Sequence, residues 1–153
     1  MGSWRAWVWT FIGVQVAGVV VDAIWHGLLH PDFEPRTIAE TVRHLTTVHL
    51  LLYVGVLGLC AVTAWALFGQ PRRPVTDIVL PLAFAGALLQ LAGEAWHAYV
   101  HLQLQPSPWP ELIGFGGLAV VIGAAIAAGR HARSGAADAR RLGHEAPRHQ
   151  PRG

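Results

Sequence analysis

Residues 90–101 read QLAGEAWHAYVH and set one carboxylate and two imidazoles inside an otherwise apolar run. On a helix advancing about 100° per residue, Gln90, Glu94, His97 and His101 fall within an arc of about 60°. One face of that helix is therefore polar, while the others carry Leu, Ala and Val. An ionisable group inside a membrane-length segment costs roughly 2.5–3.5 kcal/mol on insertion scales, so a partner or a task is expected. The same device recurs in residues 15–30, QVAGVVVDAIWHGLLH. There Gln15, Asp22, His26 and His30 share a face about 80° wide. Two helices with matching polar stripes predict one shared site.

The rest of the chain supplies the frame for these two stretches. Of its 153 residues, 53% are hydrophobic and 13% charged, where a soluble domain carries about 25% charged residues. Long apolar runs cause the shortfall and read as membrane spans at 6–29, 45–68, 75–104 and 112–128. Trp4, Trp7 and Trp9 stand as an interfacial belt at the start of the first. Asp22 interrupts that run and no small-x-small cleavage site follows, so it reads as a retained span and not as a signal peptide. Pro31 and Pro35 break the first helix, and Thr37 with Glu40 has the spacing of a capping box that starts the second. Gly69–Pro74 reads as a short basic turn, and Gln105–Pro110 as a Pro-rich loop.

Within the spans, His49, Tyr53, Cys60 and Thr63 share one side of the second helix. Gly55 and Gly58 give it a small face for close packing. Ala119, Gly123 and Ala127 form a small-xxx-small ridge on the fourth span, which marks it as a packing partner and not a ligand donor. Such Gly/Ala faces also offer a route to oligomers. From Arg130 the composition turns to Arg, His, Gly, Ala and Pro. Residues 1–129 are therefore read as the membrane domain, and 130–153 as a basic tail, disordered or lying on the membrane surface. The expected fold is an all-α integral membrane protein: a four-transmembrane-helix bundle, up-down-up-down, with a disordered C-terminal tail.

All eleven cationic residues are Arg. They sit in the flanks of the spans and not on one globular face, which argues against nucleic-acid binding. Arg5, the pair Arg72 and Arg73, and the six after span four outweigh Arg36 and Arg43 in the other loops. The positive-inside rule then puts both termini in the cytoplasm of a multi-pass protein of the cell membrane. With that topology Asp22, His26 and His30, then His44 and His49, then Glu94, His97 and His101 all fall in the outer half of the bilayer. Three polar clusters at one depth form the core of the functional reading.

Imidazole suits iron, copper and zinc, with carboxylate as a frequent co-ligand. Histidines one turn apart, His26/His30 and His97/His101, can each present two nitrogens to the bundle axis. Glu94-x-x-His97 has the spacing used by di-iron carboxylate bundles, although the other helices do not complete that motif. The ligand candidates are Asp22, His26, His30, His49, Glu94, His97 and His101. His44 lies about 140° from His49 on an ideal helix, so only one of the two should face the site, and His49 is favoured for its depth. A single histidine in a span serves as readily for packing as for ligation. The joint pattern favours metal, because stacked polar groups without a strong partner are costly in a bilayer.

The leading expectation is a mono- or dinuclear transition-metal centre, compatible with redox work on O₂, a quinol or a small hydrophobic or lipid substrate. Whether the chain is an enzyme, a metal-dependent membrane oxidoreductase, stays open at this level. Haem b electron transfer is an alternative, but it leaves Asp22 and Glu94 without a role. A metal transporter would want polar residues through the inner half. A metal-free proton-linked sensor would pair protonated histidines with the two carboxylates. The adjacent His-His pairs of the membrane hydroxylases and desaturases do not occur.

Overall fold

Apolar runs interrupted by proline and glycine produce five helices and no strand among the residues that the computed structural model describes, 4–33, 35–69, 78–105 and 107–145. They are α1 (Trp4–Ile24), α2 (Ile38–Thr47), α3 (Leu50–Phe68), α4 (Val79–Leu102) and α5 (Trp109–Glu145). Four segments are long and apolar enough to cross a membrane: Trp4–Leu29, Leu50–Phe68, Val79–Leu102 and Trp109–His131. They coincide with the four spans expected from sequence. The turn at 70–74 lies outside the described residues, apart from Gly69.

Three local features shape the end of the bundle that carries the histidines. α1 does not stop at Ile24 but widens into one π-helical turn, Trp25–Leu29, closed by the His30 N–H donating to the Trp25 carbonyl at 2.8 Å. The extra residue in that turn breaks the one-turn spacing between His26 and His30. α2 starts at the expected cap. The Thr37 hydroxyl accepts from the Glu40 N–H at 3.2 Å, and the Glu40 carboxylate accepts from the Arg36 N–H at 2.9 Å. α2 is a separate short helix and not the first turns of the second span. It ends at Val48, and His49 (φ −88°, ψ 1°) turns the chain into α3. The third feature is the end of α4. Gln105 N–H donates to the Val100 carbonyl and Leu104 N–H to that of His101, each at 3.0 Å. This double closure holds His101 in the last turn, with Leu104 in the left-handed region (φ 54°) usually left to glycine.

Glycines set how closely the helices approach. Gly18 of α1 faces the backbone of α3 at Leu51 and Leu52, and Gly55 and Gly58 of α3 receive Gln15 and Phe11 of α1. The expected role of Gly55 and Gly58 in close packing is therefore met. α4 lies on α5 through Gly86 against Gly117 and Gly93 against Gly114. In a lipid environment such backbone proximity, and not a hydrophobic driving force, holds helices together. The ridge expected on the fourth span points elsewhere. Ala119 and Gly123 are exposed, and the packing face of α5 is Gly114, Gly117, Val121, Ala124 and Ala125. The ridge was read from small residues four apart, a pattern that two faces of this helix satisfy.

Val8, Ile12, Leu59, Ala87, Val121 and Ala125, drawn from four helices, form the apolar core, continued by Ala66, Leu80, Ala83 and Ala124. Above it sits a buried amide pair. Gln90 Nε2 donates to Gln15 Oε1 at 2.6 Å, and Gln15 Nε2 donates to Gln90 Oε1 at 3.3 Å. Each amide satisfies the other, which removes the cost of burying them among apolar side chains. At the far end Arg5 donates to the Ala128 carbonyl at 3.0 Å, tying α1 to α5.

The disordered tail expected from Arg130 is corrected in part: α5 continues to Glu145. Its Ala, Arg and Leu are strong helix formers, so a lack of large apolar residues removes packing but not helicity. Residues 146–153 lie outside the described residues.

Candidate metal centre

The polar stripes of α1 and α4 lie on the same side of the amide pair, and the α2–α3 corner brings its histidines to the same level. Asp22 and His26 come from the end of α1, His44 from the last turn of α2 and His49 from the corner itself. One donor atom from each lies within 4.8 Å of the other three. His44 Nε2 stands 3.2 Å from His26 Nε2 and 3.3 Å from His49 Nε2. Asp22 Oδ1 stands 3.4 Å from His49 Nε2 and 3.6 Å from His26 Nε2. Four donors bound at about 2.0–2.1 Å to one tetrahedral ion are about 3.3–3.4 Å apart, so these four of the six edges have the length of a metal site, and the two remaining pairs lie within 4.8 Å.

Hydrogen bonding among the four does not account for the arrangement. An imidazole nitrogen offers either one hydrogen or one in-plane lone pair, so His44 Nε2 cannot satisfy two imidazoles at once. Asp22 Oδ1 is buried and has no hydrogen-bond partner. A cation at the centre would take all four lone pairs together. Burial, reinforced by the neighbouring His26 and His101, pushes His44 down to about 4, which keeps its imidazole in the neutral form that ligates metals. Aromatic rings close the outer side. Phe33 and Trp25 lie with ring centroids 5.4 and 6.2 Å from that of His44.

The sequence-derived candidates divide into three groups. Asp22, His26 and His49 are brought together, with His44 between the two histidines. His97, His101 and Glu94 are close by but outside that set. His97 and His101 have ring centroids 4.4 Å apart, and His97 is 5.3 Å from His49. Both line a cleft of about 380 Å³ with Asp22, His26, His49 and Glu111. Glu94 lines a smaller cavity of about 110 Å³ reaching down to Gln15 and Gln90. Exposed His30 stands apart, its ring tilted against Trp25 with centroids 4.0 Å apart. The π-helical turn explains this, since i and i+4 share a face only in a regular α-helix.

Two site residues escaped the sequence reading. His44 was set aside on the geometry of a continuous helix; the corner at Val48–His49 invalidates that geometry and lets both histidines face inward. Glu111, in the first turn of α5, was not considered because the fourth span was taken to begin after it. Its carboxylate is 3.7 Å from His97 Nδ1. Compared with known protein families, with curated proteins and with solved structures, the chain matches none.

Proposed function

We propose that this chain is an integral membrane metalloprotein, an up-down-up-down bundle of α1, α3, α4 and α5 with a resident transition-metal ion on Asp22, His26, His44 and His49. The observation that carries the reading is the convergence of four lone-pair donors within 4.8 Å of one another, where their own hydrogen bonds cannot satisfy them. Membrane insertion is supported by the outward faces, which carry Trp7, Val20, Leu57, Trp65, Leu89, Phe115 and Ile126 in exposed positions. The charge asymmetry favours a topology with both termini in the cytoplasm and the metal in the outer half of the bilayer.

Two features favour a resident ion over a transported one. The cavity beside the cluster reaches Gln15 and Gln90 between largely apolar walls, and the apolar core of Leu59, Ala87 and Val121 fills the bundle next to them. Four protein donors complete the coordination of one ion, as resident sites do, and a molecule in the neighbouring cleft could reach that ion only as a fifth ligand or by displacing one of the four. Redox work on O₂, a quinol or a small hydrophobic molecule admitted through that cleft is the activity this architecture suits. Haem fits poorly. Axial imidazoles on opposite sides of a porphyrin need nitrogens about 4 Å apart, twice a metal–nitrogen bond, with a flat slot between them. Here three imidazole nitrogens meet at 3.2 and 3.3 Å.

Elemental analysis of protein purified in detergent without chelators tests the reading. At least one equivalent of iron, copper or zinc per chain is expected, without a Soret band. Metal-free protein that takes up none of these ions on addition would refute it, and a Soret band would replace it with the haem alternative.

A further inference from the structure

The four-residue cluster leaves His97, His101 and Glu111 unexplained. The His97 side chain is only 9% exposed, yet neither of its ring nitrogens has a hydrogen-bond partner. An imidazole so placed forfeits its hydration without recompense. His97 lies at the wall of the cleft, and two other donors flank it there. Glu111 brings its carboxylate to 3.7 Å from Nδ1, and His101 stands one helical turn away with its ring 4.4 Å off. Asp22, His26 and His49 line the same cleft, so two sets of metal-type ligands share it.

We propose that the cleft holds a second divalent transition-metal ion on His97, His101 and Glu111, making the site dinuclear. This assignment goes beyond the single ion on Asp22, His26, His44 and His49 and does not need that ion in order to be tested. The donors come from two helices whose spacing is fixed by Gly93 against Gly114, close to the metal. The His97–Glu111 separation is longer than the about 3.3 Å edge of a tetrahedral site, and the three donors stand more loosely together than the four of the first site. Glu111, at 55% side-chain exposure, has the freedom to close it. A ring of two imidazoles and one carboxylate leaves positions for water or substrate, facing the first ion across the cleft. Asp22 and His49 line that cleft too, so a molecule bound in it would meet both ions.

Titration of chelator-stripped protein with cobalt(II), followed by its ligand-field absorption, tests the assignment. Two equivalents should bind to the wild-type chain. His101→Ala and Glu111→Gln should each bind one, with unfolding temperatures near wild type because both side chains are partly exposed. His44→Ala should lose the other equivalent and keep this one. One equivalent in wild type, retained in His101→Ala and Glu111→Gln but lost in His44→Ala, would overturn the second site and leave the first standing. One equivalent lost only in His101→Ala and Glu111→Gln would support the second site and remove the first. Two equivalents unaffected by either cleft variant would overturn the assignment to these residues.

Discussion

His44→Ala should strip the first ion from the chain, weakening its binding by more than about 100-fold, whereas His30→Ala should leave metal content unchanged. Changes to groups that merely orient a metal ligand already cost about 10–100-fold, so losing a ligand itself should exceed that range. His44 makes the shortest donor–donor approaches of the set, its Nε2 standing 3.2 Å from His26 Nε2 and 3.3 Å from His49 Nε2. Without it, two imidazoles and a carboxylate remain, and one coordination position opens. His30 has the sequence credentials of a ligand, one turn after His26, but is exposed and lies tilted against Trp25. Metal content of the two variants, purified side by side, separates a site built by the observed corner from one built on ideal helices. Equal losses in both would contradict the arrangement.

Gly117→Leu is expected to destabilise the bundle by about 3 kcal/mol or more, at the upper end of the overpacking range. A Cβ at Gly117 would stand 2.6 Å from both the Gly86 carbonyl oxygen and the Gln90 backbone nitrogen. Those are backbone atoms of α4 and cannot rotate aside, so the two helices must separate. Their separation would also disturb the Gln15–Gln90 pair and draw His97 away from Glu111. Gly123→Leu, six residues along the same helix, meets nothing within 4 Å and should be nearly neutral. Thermal unfolding in detergent compares them directly. Similar unfolding temperatures for the two variants would contradict the assigned packing face of α5.

Most of the architecture is legible in the sequence because apolar length and polar punctuation decide it. The four spans, the Thr37 cap and the close packing at Gly55 and Gly58 each follow from local chemistry. The meeting of Asp22, His26 and His49 was legible for the same reason, through helical periodicity within one span and a shared depth across spans. Periodicity misleads where a helix departs from 3.6 residues per turn. The π-helical turn at Trp25–Leu29 removes His30 from the face it shares with His26 on paper. The corner at His49 brings in His44, which an unbroken helix would turn away. The π-helical turn holds Gly27 and runs up to Pro31, but neither residue by itself distinguishes a widened turn from a helix end. The corner at Val48–His49 carries no proline or glycine at all. The face chosen by α5 was hidden for a different reason: its small residues are too numerous for spacing alone to select one stripe.

The central claim is that three imidazoles and one carboxylate, delivered by α1, α2 and the corner before α3, surround one ion. X-ray absorption at the zinc edge of His101→Ala protein loaded with one equivalent of zinc tests it most directly. The account predicts a first shell of about four nitrogen and oxygen scatterers at about 2.0–2.2 Å, with multiple scattering from three imidazoles. A shell with fewer than three imidazoles, or a sulfur scatterer from Cys60 at about 2.3 Å, would contradict it.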